Sequence, residues 1–125
     1  MILDTNALSA WCDGDDSLLA VLPSDRPLFL PVIVLGEYRF GIKAARDGKI
    51  REKWLDSVEH AITVLDADST TARRYADMRE ELRLAKTPIP ENDVWIAALA
   101  RQHDLPLLSR DAHFDCVSGL QRAGW

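Results

Sequence analysis

Four short apolar runs punctuate the chain: Met1–Asp4 (MILD), Pro27–Pro31 (PLFLP), Ile62–Leu65 (ITVL) and Leu105–Leu108 (LPLL). Between them lie stretches long enough for helices. That alternation constrains the fold more than any other feature, because short apolar runs separated by helical segments build a parallel sheet whose crossovers are helices. Asp15–Leu22 opens with acids and carries an apolar face, which predicts a helix. Val32–Ala45 predicts a second, with Glu37, Phe40, Gly41 and Ala44 along one side, and Ile50–His60 a third. Ser69 is the N-cap candidate of a helix running to Ala85. Glu91–His103 is apolar nearly all round (VWIAALA), the pattern of a central buried helix, with Trp95 its clearest core candidate. Asp111–Phe114 starts a last turn or short helix. No repeat, low-complexity tract or linker interrupts the sequence, so one domain over residues 1–125 is expected.

Composition narrows the function classes. No stretch approaches the roughly 20 apolar residues of a membrane span, and MILDTNALSAW lacks the basic region that opens a signal peptide. Cys12 and Cys116 are too few for a disulfide framework and have no metal-ligand spacing around them, so they read as thiols in a reducing cytoplasm. A net charge of −5 argues against binding nucleic acid through a general basic surface, although acids concentrated at a catalytic centre would produce the same total. Two groups of cations stand out: Arg39, Lys43, Arg46, Lys49, Arg51 and Lys53, and then Arg73, Arg74, Arg79, Arg83 and Lys86. Both read first as solvated helix faces, with phosphate contact the alternative.

Four acids point to chemistry. Asp4 ends the first run and Asp111 follows the last by three residues. In an open parallel sheet, positions just past the carboxyl ends of strands share one rim, where ligands bind. Glu37 and Asp93 lie in early turns of helices that start near that rim. Each has an ordinary structural reading: a turn residue for Asp4, a helix-dipole partner for Glu37 and Asp93, an N-cap for Asp111. Against these, Glu37 sits in an apolar context (VIVLGEY) and Asp93 precedes an apolar helix, and enclosed carboxylates without partners are costly. Like charges held close raise one another's pKa, and a divalent cation resolves the conflict. Without His or Cys in company, the donor set is all oxygen and selects Mg²⁺ or Mn²⁺ over zinc. Paired ions of this kind serve phosphodiester hydrolysis.

The segments ILDTNALS, LGEYRFGI, IPENDVWIAALA and LLSRDAHF resemble, in order, the four motifs of PIN-domain ribonucleases, above all the VapC-type toxins of toxin–antitoxin pairs, and GLQRAGW is similar to the tail of such toxins. The resemblance implies a PIN-like fold of three layers, α/β/α, with a short, mostly parallel central sheet. It implies that Asp4, Glu37, Asp93 and Asp111 ligand Mg²⁺ or Mn²⁺, directly or through water, and that Asn6 and Ser109 orient those acids by hydrogen bonds. The family usually has Thr where Ser109 stands. It further implies endonucleolytic cleavage of RNA by metal-activated water leaving a 5′-phosphate and a 3′-hydroxyl, a homodimer, and inhibition by a cognate antitoxin protein.

Other residues stay open or structural. Asp115 is either a contributor to a second metal position or a surface acid. Asn92 reads as a first-turn helix residue, Arg110 equally as a phosphate contact or a solvated cation, and His60, His103 and His113 as structural or surface residues. Two competing functions remain on sequence grounds. One is a catalytically weak module of the same fold that pairs with a protein or RNA. The other is an acidic-pocket phosphatase or phospho-receiver using Asp4 as nucleophile, which Thr5 and Asn6 disfavour because such sites usually need a further acid there.

Overall fold

The computed structural model describes residues 1–125. Its strands are β1 (Ile2–Leu3), β2 (Phe29–Pro31), β3 (Thr63–Leu65), β4 (Leu107–Leu108) and β5 (Arg122–Ala123). Its helices are α1 (Thr5–Cys12), α2 (Asp16–Leu19), α3 (Val32–Ile42), α4 (Gly48–Ala61), α5 (Ser69–Leu84) and α6 (Glu91–His103), followed by a 3₁₀ turn at Ala112–Cys116. The five strands form one sheet in the order β3-β2-β1-β4-β5, and every pairing is parallel. The expected α/β architecture is therefore present, with all neighbours parallel where a mostly parallel sheet was anticipated.

Adjacent residues of a strand face opposite sides of the sheet, and here they feed two cores. Ile2 and Leu107 belong to a larger cluster with Val34, Leu55, Met78 and Ile96 from α3 to α6. Leu3 and Leu108 belong to a smaller one with Ala7, Ala10 and Leu18 from α1 and α2. Helices thus cover both faces, giving the three layers. The chain order reverses between β1 and β4 at the middle of the sheet, which opens a crevice beyond their carboxyl ends.

Several expectations need correction. The sequence reading had no helix at Thr5–Cys12 and no β5. Both depend on partners remote in sequence: α1 is capped by Asp4 and packs Leu8 into the larger core, and β5 pairs only with β4. The N-cap of α5 is Asp68 where Ser69 was expected, because Asp68 Oδ1 accepts the Thr71 amide at 3.0 Å and its own amide donates to Thr71 Oγ1, a reciprocal capping box. Trp95 is half-buried and stacks on Tyr75 (ring centroids 4.0 Å apart) rather than entering the core, whereas its neighbours Val94, Ile96 and Leu99 are buried.

Thr71 is fully buried, and its hydroxyl also donates to Gln102 Oε1, tying α5 to α6. Thr71→Val keeps the shape and removes both links. It is expected to lower stability by about 1–2 kcal/mol in urea unfolding with an unchanged m-value. No loss would mean that the hydroxyl's bonds to the Asp68 amide and to Gln102 contribute nothing.

Candidate active site

The crevice at the strand reversal is an open cleft of about 590 Å³ lined by Asp4, Thr5, Asn6, Ser9, Glu37, Phe40, Asn92, Asp93 and Asp111. All four acids singled out from the sequence therefore meet, and no Lys or Arg is among the lining residues. Asp4 is the first residue past β1 and the N-cap of α1, and it is 3% exposed. One oxygen accepts the Thr5 amide at 2.7 Å, and the other accepts Ser109 Oγ at 2.6 Å and Asn6 Nδ2 at 2.9 Å. Ser109 follows β4 directly, and its hydroxyl also accepts the Asp111 amide at 3.0 Å. Asn6 Nδ2 reaches Asp111 Oδ2 at 2.9 Å as well, so one amide bridges the acids that follow the two central strands. Asn6 and Ser109 thus each contact both Asp4 and Asp111.

Glu37 sits in the second turn of α3 and is held by Thr5 Oγ1 at 2.5 Å and Asn92 Nδ2 at 2.8 Å. Asp93 lies in the first turn of α6, with His113 Nε2 2.7 Å from its Oδ2. That approach is close but not an aligned hydrogen bond, since the ring nitrogen meets no partner at a suitable angle. Thr5 and Asn92 are the residues that sequence reading missed. The only available signal was their position beside Asp4 and Asp93, because their partner Glu37 is far away in sequence. His113, assigned a structural or surface role, is the one histidine that reaches the cleft acids.

The electrostatics are those of a site short of positive charge. Burial pushes the Asp4 carboxyl above its usual range, opposed by its bonds from Ser109 and Thr5 and reinforced by Asp111 and Glu37. Burial and then Asp4 push Asp93 up to about 6, with His113 acting in the other direction. A hard divalent ion fits this all-oxygen set. No three His, Cys, Asp or Glu side chains stand close enough to cage an ion by themselves, and Mg²⁺, which keeps several of its waters and takes one or two carboxylates, does not need such a cage. Asp4, Asp93, Asp111 and Glu37 are the residues that would hold it.

The structure does not bring Asp115 to the cleft. Its carboxylate makes a two-pronged bond to Arg122 of β5, at 2.8 and 2.9 Å, which answers the question left open by the sequence in favour of a surface ion pair. Arg110 turns away too, bonding Asp15 Oδ2 at 2.9 Å and lying over the Trp125 ring. Cys12 and Cys116 are both free thiols, and no helix is long and apolar enough to cross a membrane.

Ser109→Ala tests the hydrogen-bond frame. Ser109 is fully buried, and its loss strands the bonds to Asp4 and Asp111. We expect about 1–2 kcal/mol of destabilisation in urea unfolding and roughly a tenfold drop in phosphodiester cleavage. Full activity would show that these acids need no such support.

Comparison with known proteins bears on the whole chain. Ribonuclease VapC5 of Mycobacterium tuberculosis is 32% identical over 120 residues, covering 94% of this chain and 87% of the relative. The crystal structure of VapBC-5 from the same organism, described as a member of the VapBC family of toxin–antitoxin systems, superposes with a TM-score of 0.76 at 31% identity, covering 98% and 94% of the two chains. VapBC2 from Rickettsia felis, solved bound to a DNA fragment from its promoter, gives a TM-score of 0.89 at 23% identity over 99% and 97%, a likeness of fold. The model of the PIN domain matches residues 1–120, and with that span the chain belongs to the PIN domain family.

Proposed function

We propose that this chain is an endoribonuclease dependent on Mg²⁺ or Mn²⁺, formed by one nuclease domain over residues 1–125, and that it acts as the toxin of a toxin–antitoxin pair. The observation that carries the reading is a cleft into which four carboxylates converge without a basic lining residue. Relatives named as VapC ribonucleases support the RNA substrate. VapBC complexes among the structural neighbours support a small antitoxin partner, whose Arg side chain would suit an acidic cleft. A homodimer and a cytoplasmic location complete the proposal.

In this reading Asp4, Glu37, Asp93 and Asp111 would hold the ion, directly or through its waters. When bound, Mg²⁺ or Mn²⁺ supplies charge to offset the phosphate and acidifies a water. The chain's own residues fix the geometry: Asn6 keeps Asp4 and Asp111 at a set separation, Ser109 and the Thr5 amide lock the Asp4 carboxylate, and Thr5 with Asn92 aims Glu37. Fixed donors of this kind cost no reorganisation when the reaction occurs. Hydrolysis would leave a 5′-phosphate and a 3′-hydroxyl.

The test is incubation of purified protein with single-stranded and structured RNA, with Mg²⁺, with Mn²⁺ and with EDTA. Cleavage that needs either ion and yields 5′-phosphate ends is expected. Cleavage that persists in EDTA would overturn the metal assignment, and no cleavage under any condition would overturn the enzyme assignment.

A further inference from the structure

Without its ion an acidic cleft repels the phosphodiester it is proposed to cut, so cations beside it would add affinity for RNA. The first 60 residues hold one place where cations accumulate without partners, the turn between α3 and α4. There Lys43, Arg46 and Lys49 line a hollow of about 550 Å³. All three are exposed, and none forms an ion pair. The two acids of the same hollow are already engaged elsewhere: Asp47 bonds Arg51 at 2.9 Å, and Glu52 faces Arg39 at 3.9 Å. Three uncompensated positive charges remain in a chain whose net charge is −5.

The turn that carries them is well defined. Gly48 packs so tightly that a Cβ would run into the Ile42 carbonyl, and the Gly48 amide bonds the Ala45 carbonyl at 3.1 Å. One helix, α3, runs from the cleft toward the hollow. Glu37, Phe40 and Lys43 follow one another at three-residue steps, about 9 Å of helix axis from first to last. Phe40 lines the acidic cleft yet is 81% exposed, the most exposed large apolar side chain of the molecule. A free aromatic ring between an acidic cleft and a cationic hollow matches the pattern of single-strand binding sites, in which cations follow the backbone and aromatic faces stack bases.

We propose that Phe40, Lys43, Arg46 and Lys49 form the subsite that receives the single-stranded RNA flanking the bond to be cut, with Phe40 stacking on a base and the three cations holding successive phosphates. This rests on the ribonuclease reading above. It assigns part of the first basic group to substrate binding rather than to a solvated helix face. An acidic protein segment would satisfy the cations as well, but it would leave the ring at the cleft without a task.

The experiment compares wild type with Phe40→Ala, with K43S/R46S/K49S, and with R73S/R74S/K86S, which removes the same charge from α5 and its C-terminal end. Steady-state cleavage of a 12-nucleotide single-stranded RNA is measured in Mg²⁺ over a range of salt. Phe40→Ala is expected to raise KM roughly tenfold with kcat nearly unchanged. K43S/R46S/K49S is expected to raise KM and to flatten the dependence of log(kcat/KM) on log[salt] by about 2, near 0.7 for each lost phosphate contact. The α5 variant should match wild type. Equal effects from the two triple variants, or none from either, would overturn the subsite. RNA binding is measured in parallel by fluorescence anisotropy, so a failure of the ribonuclease reading is separable. If wild type binds RNA without cutting it, selective loss of binding in K43S/R46S/K49S still supports the subsite, and equal binding by all variants, or no binding by any of them, overturns it.

Discussion

Asp93→Asn is expected to abolish RNA cleavage while making the metal-free protein more stable at neutral pH. The Asp93 charge gives up hydration on folding and recovers only the contact with His113: burial and the neighbouring Asp4 lift its carboxyl to about 6, and the only opposing group is His113. An amide of the same shape removes the repulsion. Catalysis moves the other way, because an amide is a poor ligand for a hard cation. Loss of an orienting neighbour around a metal typically costs 10–100-fold, so loss of a ligand is expected to cost about 100-fold or more, which is about 2.7 kcal/mol in activation free energy. Cleavage assays in Mg²⁺ and thermal melts in EDTA at pH 7.5 measure the two effects on one preparation. A variant that is both inactive and less stable would make Asp93 a structural residue. One that keeps its activity would remove it from the site.

Why the sequence exposed some of this and concealed the rest follows from range. The three inner strands and the edge strand β3 were legible because each carries an apolar run that feeds the core, as Leu30 in β2, Leu65 in β3 and Leu107 and Leu108 in β4 show. β5 was not legible, since Arg122 and Ala123 are half-buried at an edge and owe their extension to β4 alone. That single omission also hid the fate of Asp115, whose partner Arg122 lies on β5. The helix α1 escaped for a different reason. Asp4 serves at once as its N-cap and as a site acid, so in sequence it reads as a turn. The acids themselves, with Asn6 and Ser109, were legible through strand ends and motif resemblance, whereas Thr5 and Asn92 act on Glu37 across 32 and 55 residues. Trp95 was misplaced because an apolar helix does not announce which flank stays open. The residues around it are buried, and the indole lies against Tyr75 outside the core.

The same unbalanced charge sets a pH dependence that Mg²⁺ should reverse. A carboxyl whose pKa is higher in the folded state than in the unfolded chain binds its proton more tightly when folded. Its contribution is fully present below the unfolded value, near 4, and is lost as pH rises through the folded one. For Asp93 the folded value is about 6. At pH 5, one unit below it, the group therefore contributes about 1.4 kcal/mol, and by pH 7.5 that has vanished. Asp4, raised by burial, acts in the same direction. Carboxyls held low by their partners, such as Asp15 with the Leu18 amide and Asp115 with Arg122, lose stability only as pH falls toward their own titration and so do not mask the effect in this window. In EDTA the protein should accordingly melt lower at pH 7.5 than at pH 5. Adding Mg²⁺ at 100 times its Kd should then stabilise the pH 7.5 sample by about 2.7 kcal/mol. At pH 5 the gain should be much smaller, because protons compete for the same oxygens. Differential scanning calorimetry with KCl matched in ionic strength separates binding from screening. An Mg²⁺ effect equal at both pH values, or reproduced by KCl, would mean that these carboxylates do not gather around a divalent ion, and the hydrolase chemistry built on them would fall with it.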